Sequence, residues 1–170
     1  PLYSSAASDV YKRQRYAYEK GVDTIVCLDG SEVLGAFLAR HLAKNTLFAV
    51  NSDKNINVIT PEYDSNGQLL FRDNLVPMVT DRNVLILIST VNSGKSIRRV
   101  VECAQYYGGK VQGIAAVFST LEEMEGVPIY SLFTPEDIPG YATYSPENCA
   151  MCRAGERINA LANSYGLSAL

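Results

Sequence analysis

The sequence predicts an α/β fold: a parallel sheet of about five strands flanked by helices, with a protruding β-hairpin. Short apolar, β-branched runs alternate with helical patterns, which is typical of parallel sheets buried on both faces. The 170 residues are 47% hydrophobic and 19% charged, the size and composition of one globular domain and not of a disordered chain. An Asn-Gly pair between apolar runs indicates the hairpin.

The first strand–helix–strand unit starts at residue 22. Residues 22–28 form a short apolar strand, residues 32–44 a buried helix that is apolar around most of its circumference, and residues 47–51 a second strand. The hairpin follows, because residues 56–60 and 68–72 flank the sequence Asp-Ser-Asn-Gly at residues 64–67.

The second unit repeats this order. Residues 84–88 (VLILI) are a buried strand, residues 96–107 a helix, and residues 111–118 another strand. Apolar residues of the helix share one face, and Gly108 and Gly109 are predicted to end it. Residues 127–133 are predicted as a last strand, and a short helix is predicted near residues 156–163.

Composition changes divide the chain into three parts. Residues 1–14 resemble translated adaptor or vector sequence, and we expect them to be a non-native leader after which an N-terminal segment is missing. Residues 15–135 are the predicted α/β domain, and residues 136–170 a tail with a Cys-x-x-Cys pair.

Charge and cysteine content exclude several function classes. Fifteen basic and 18 acidic side chains give a net charge of −3, so no broad positive field is available for nucleic acid or an anionic membrane. No apolar run approaches the roughly 20 residues that span a bilayer, and a cytoplasmic protein is expected. Four cysteines are too sparse for a disulfide framework, so reduced thiols are expected.

The most informative segment is residues 84–96, VLILISTVNSGKS, in which an apolar strand enters a small-residue loop and then a helix. A helix N-terminus offers unpaired amides and a positive dipole end to a phosphate. The candidate groups are the amides of residues 92–95, the hydroxyls of Thr90, Ser93 and Ser96, and the Lys95 ammonium. A plain helix capped by Ser93 is the alternative.

A nucleotide-hydrolase loop of the Walker A type is a second reading of this segment. Gly94, Lys95 and Ser96 match the end of its pattern, G-x-x-x-x-G-K-[ST], but Ser89 stands where the first glycine is required. A P-loop hydrolase is therefore the less favoured interpretation.

The same segment resembles the diphosphate-sugar motif of the type I phosphoribosyltransferases, in particular the orotate type. Order and spacing agree over residues 22–118, and the Cys-Ala-Met-Cys-Arg-Ala-Gly tail is similar to C-P-x-C-K-A-G endings of some members. The resemblance implies a 5′-phosphate site at Thr90, Asn92, Ser93, Gly94, Lys95 and Ser96. It implies a pyrophosphate-side loop at Asp29, Gly30 and Ser31, and a mobile segment in which Lys54 is the candidate contact.

The resemblance also implies an activity and its partners. A phosphoribosyltransferase transfers the phosphoribosyl group from phosphoribosyl pyrophosphate to a base, here a pyrimidine such as orotate, with Mg²⁺ and commonly as a homodimer. The two acidic residues that hold the ribose in the family fall on Ile88 and Ser89, which carry no charge. The alternative is therefore a regulatory protein that binds a phosphorylated sugar or nucleotide without turnover.

Two smaller patterns have more than one interpretation. Asp29 and Glu32 are interpreted as a helix cap, with the amides of Gly30 and Ser31 still available to an anion, and a catalytic acid/base pair is the alternative. Cys149 and Cys152 are interpreted as free thiols, with a metal such as zinc shared across a dimer, or redox chemistry, as alternatives.

Overall fold

The computed structural model describes residues 21–44, 55–163 and 166–170, in two compact units. The first unit ends at Thr134 and the second is Pro135–Leu170. Three predictions lie outside the described residues: the leader at 1–14, the strand at 47–51, and the mobile-segment contact Lys54.

The described part of the first unit contains a mostly parallel sheet with a helix on each face. Its strands are β1 (Thr24–Cys27), β2 (Asn57–Ile59), β3 (Glu62–Tyr63), β4 (Leu69–Leu70), β5 (Asn83–Val91), β6 (Lys110–Ser119), β7 (Glu123–Met124) and β8 (Val127–Phe133). The helices are α1 (Glu32–Lys44) and α2 (Lys95–Tyr106). The central sheet has the order β2-β1-β5-β6-β8-β7, in which only β7 runs antiparallel to its neighbour. The predicted α/β class, with five parallel strands, is confirmed.

Helix α1 has the predicted bounds but is not buried as predicted. It packs on the sheet through a narrow buried stripe of Gly35, Ala39 and Leu42, and a side chain at Gly35 would collide with the Cys27 sulfur of β1. Val33 and Phe37, on the opposite face, are 68% and 66% exposed. The missing side chain of Gly35 allows close approach on one side only, so the rest of the apolar circumference is not covered by described residues.

Helix α2 agrees with its predicted pattern. The four apolar residues of its inner face are 0–1% exposed: Ile97, Val100, Val101 and Ala104. Gly108 and Gly109 end the helix as predicted, because their amides donate to the carbonyls of Gln105 (2.9 Å) and Ala104 (2.8 Å).

The hairpin is present, but its first arm was misplaced. Residues 57–59 pair in parallel with β1 at the sheet edge, and the hairpin is formed by β3 and β4. Asp64 closes the turn, since its Oδ1 accepts the amides of Asn66 and Gln68, both at 2.8 Å. Residues 57–59 satisfy backbone groups of β1 that would otherwise form an open edge.

The second unit differs from its prediction. Residues Ala160–Asn163 form strand β9, which pairs antiparallel with β10 (Gly166–Ala169), so the predicted helix at 156–163 is wrong. A short apolar run is compatible with the period of a helix and with that of a strand, and here the pairing with β10 decides for the strand. A one-turn helix, α3 (Ala150–Arg153), precedes the hairpin. Within the described ranges, no helix is long and apolar enough to cross a membrane.

Candidate functional site

Two loops meet at the carboxyl edge of the central sheet, where parallel α/β sheets usually bind ligands. They follow the adjacent strands β1 and β5. The Leu87 carbonyl of β5 accepts hydrogen bonds from the Leu28 amide (2.9 Å) and the Ser31 hydroxyl (3.1 Å). Strand pairing and these two bonds fix the first loop against the second strand.

The loop between β5 and α2 presents a row of backbone amides. Gly94 occupies the N-cap position with φ +73°, and no side chain caps the helix, so the alternative of a Ser93 cap is wrong. The first hydrogen bond of α2 runs from the Arg98 amide to the Gly94 carbonyl at 2.9 Å. In the part of the chain that the structure describes, the amides from Ser93 to Ile97 donate to no protein group.

These amides border a cavity of about 230 Å³. Its lining consists of Ile88, Thr90, Val91, Asn92, Ser93, Gly94, Lys95, Ser96 and Ile97. The structure therefore brings together all six residues that the sequence predicted for the 5′-phosphate. Gly94 is buried, whereas the other five are exposed. Their role in binding stays a prediction.

A segment of the β6–β8 connection supports this loop from below, and sequence reasoning missed it. We name Thr120, Leu121, Met124 and Glu125 the buttress. The Thr120 amide and hydroxyl donate to the carbonyls of Val91 (3.0 Å) and Asn92 (2.8 Å). The Met124 methyl group and Leu121 occupy the space where Gly94 would carry a side chain, and Glu125 pairs with Arg98 at 2.9 Å.

The only sequence signal for the buttress is the Glu125-Gly126 turn, whose residues both have positive φ (53° and 79°). That pattern indicates a tight turn but gives no sign of contact with a loop about thirty residues earlier. The contacts depend on β6 returning beside β5.

The structure describes both positions, 88 and 89, at which the phosphoribosyltransferase motif has acidic residues. Ile88 belongs to the hydrophobic core and is 1% exposed, and Ser89 is half-buried. Among the lining residues of the cavity, Lys95 carries the single ionisable side chain. Mg²⁺ prefers carboxylate and other oxygen ligands, so these residues do not fit a magnesium site at the end of β5.

The loop between β1 and α1 differs from its prediction in two ways. Asp29 is not a helix cap, because Ser31 directly precedes the helix and its carbonyl accepts the Gly35 amide at 2.8 Å. Ser31 is not available to an anion either, since it is 3% exposed and its amide donates to Leu28 at 3.1 Å. Asp29 and Gly30, at φ 53° and 75°, form an exposed turn. Glu32 accepts the Thr60 hydroxyl at 3.0 Å.

The cysteines fall into two classes. Cys149 and Cys152 form a disulfide, so the predicted free thiols are wrong at these positions, and bonded sulfurs are not thiolate ligands for zinc. The Cys149 sulfur also accepts the Cys152 amide at 3.1 Å. Cys27 and Cys103 are free and buried as predicted, and burial raises the pKa of each thiol to about 11.

Known proteins resemble this chain in sequence and in fold. The orotate phosphoribosyltransferase of Thermus thermophilus is 29% identical over 157 residues, which are 91% of this chain and 76% of that protein. The hypoxanthine phosphoribosyltransferase of Trypanosoma cruzi has the same fold, with a TM-score of 0.51 at 18% identity over 80% of this chain and 77% of that one. The chain is phosphoribosyltransferase-like. The predicted family resemblance is thereby confirmed.

A further relative of this phosphoribosyltransferase-like chain is a regulator. The transcriptional regulator GfcR of Methanocorpusculum labreanum is 27% identical over 119 residues, 68% of this chain and 56% of that protein. No protein-family model matches the sequence.

Proposed function

We propose that this phosphoribosyltransferase-like chain binds the 5′-phosphate of phosphoribosyl pyrophosphate, or of a nucleoside monophosphate, in the loop between β5 and α2. The observation that carries the proposal is the row of amides from Ser93 to Ile97, which have no acceptor among the described residues and border a cavity. Amides at the N-terminus of a 12-residue helix favour an anion through hydrogen bonds and through the helix dipole.

Side chains of the loop add to this backbone site. Lys95 contributes a positive charge at the first helical position, where a cation without an anionic partner is unfavourable. A bound phosphate would supply that partner. The exposed hydroxyls of Thr90, Ser93 and Ser96 can donate to the remaining phosphate oxygens.

Transfer of the phosphoribosyl group to a pyrimidine is the activity that the orotate-type relative favours. In this proposal Asp29 and Gly30 line the pyrophosphate side, and Lys54 is the candidate that closes over it. The protein would act mainly by positioning two substrates. A cytoplasmic homodimer, and Mg²⁺ brought by the pyrophosphate, are expectations of the same resemblance.

Binding without turnover is the second candidate, and the end of β5 favours it. An oxocarbenium-like transition state is stabilised by nearby negative charge, which Ile88 and Ser89 cannot supply. The similarity to the regulator GfcR agrees with a binding role.

Calorimetry on the full chain separates the candidates. Phosphoribosyl pyrophosphate and a pyrimidine nucleoside monophosphate are titrated separately, with Mg²⁺ and with a chelator. Binding of both, followed by pyrophosphate release when orotate is added, supports the transferase. Binding without pyrophosphate release supports the regulatory protein. Absence of binding for both ligands refutes the phosphate site. Hydrolysis of a nucleoside triphosphate favours the interpretation as a P-loop hydrolase.

A further inference from the structure

The chemistry of the cavity wall decides which part of a phosphorylated sugar this site recognises. We infer that the site recognises the phosphate and not the vicinal diol of the sugar, so that it binds ribose phosphates and deoxyribose phosphates with similar affinity. This inference rests on the proposed phosphate site and specifies its ligand class as phosphomonoesters in general.

A protein that selects ribose commonly does so with a carboxylate, which accepts hydrogen bonds from the sugar hydroxyls. Each charge-assisted bond of this kind contributes on the order of tenfold to a hundredfold in affinity. A neutral hydroxyl contributes about tenfold at most. Discrimination between ribose and 2-deoxyribose therefore depends on whether an acidic side chain reaches the sugar.

The wall of this cavity offers no such side chain. A sugar attached to a phosphate at the loop amides must extend past residues that line the same cavity. These include Ile88, Thr90 and Val91, none of which carries a carboxylate. Ile88 is 1% exposed and is held by the hydrophobic core, so this wall is fixed.

The carboxylates of the neighbouring described segments are paired with other groups or lie outside the lining of the cavity, as Glu122 and Glu123 do. Glu125 pairs with Arg98 at 2.9 Å, and Glu32 accepts the Thr60 hydroxyl at 3.0 Å. Asp29 lies in the exposed turn after β1 and does not line this cavity. Among the described residues that line the cavity, the polar groups available to the sugar are therefore hydroxyl and amide groups and the Lys95 ammonium, and none of them is a carboxylate.

The test is calorimetry of the full chain with ribose 5-phosphate and with 2-deoxyribose 5-phosphate, which lacks the diol. We expect the two dissociation constants to differ by less than about tenfold. The Lys95→Ala variant is titrated in parallel, and we expect it to weaken both ligands by the same factor, which shows that both bind at the loop.

The possible outcomes separate this inference from the proposed function. A preference of about tenfold or more for ribose 5-phosphate, with both ligands weakened equally by Lys95→Ala, overturns the inference and leaves the phosphate site standing. Failure of both sugars to bind, or unchanged affinity in Lys95→Ala, overturns the site and the inference together.

Discussion

Replacement of Gly94 by alanine tests the support of the phosphate loop most directly. At φ +73° an added side chain costs about 1 kcal/mol in any left-handed position. At Gly94 it also meets the Met124 methyl group, and Leu121 lies 3.2 Å away. Moving the methyl group costs about 1–2 kcal/mol more in lost apolar contact and rotamer strain. We expect Gly94→Ala to lower the free energy of unfolding by about 2–3 kcal/mol.

Gly67 provides a matched control. It has φ +75°, but an added Cβ would meet no atom within 4 Å, so Gly67→Ala isolates the backbone cost of about 1 kcal/mol. Both variants are measured by urea denaturation, with the slope checked for constancy. The same variants are titrated with phosphoribosyl pyrophosphate, and we expect weaker binding only for Gly94→Ala.

A double variant locates the cause. In a Met124→Ala background the nearest obstruction is gone, and most of the excess cost of Gly94→Ala over Gly67→Ala should then disappear. Equal destabilisation by Gly94→Ala and Gly67→Ala in the unmodified chain, or strict additivity with Met124→Ala, would refute the proposed role of the buttress.

Three further predictions concern charge and burial. Lys95→Ala should weaken binding of phosphoribosyl pyrophosphate roughly tenfold in calorimetry, because a charge-assisted contact is lost. Arg99→Ala, on the same helix but outside the cavity lining, should change the affinity by less than about twofold. The reverse order of the two effects would contradict the site. Ile88→Asp should lower the free energy of unfolding by about 3–5 kcal/mol in urea melts, because it buries a carboxylate. Ser89→Asp, at a half-buried position, should lower it by about 1 kcal/mol. Equal losses of stability in the two variants would contradict the burial of Ile88. A thiol reagent at pH 8 should label neither Cys27 nor Cys103 until the chain unfolds. Burial raises the pKa of both thiols from 9.0 to about 11, so the neutral thiols stabilise the folded chain below pH 9. In urea melts this contribution to the free energy of unfolding should fall as the pH rises from 9 toward 11.

Local patterns were sufficient to predict much of the fold. Helix α1 and strand β8 have the predicted bounds, and β5, α2 and β6 differ from theirs by a few residues at most. In each of these segments the apolar spacing or the content of β-branched residues specifies one secondary structure, whatever the segment packs against. The phosphate-loop residues were also found from sequence, because a strand, a small-residue loop and a helix in succession place them together.

Predictions failed where a partner distant in sequence decides the structure. Residues 57–59 became an edge strand through pairing with β1, and residues 160–163 became a strand through pairing with β10. Likewise, the Ser31 amide and hydroxyl are occupied by Leu28 and Leu87, which a capping pattern does not reveal.

The sequence by itself therefore determined the α/β class, the family resemblance and the loop that presents amides to an anion, since these depend on neighbouring residues. Only the tertiary structure decided that Met124 lies against Gly94 and that Ile88 is locked into the core beside the cavity. Both depend on β6 and its following turn packing beside β5. Such contacts between segments far apart in sequence are set by the packing of the whole sheet, and no local periodicity records them.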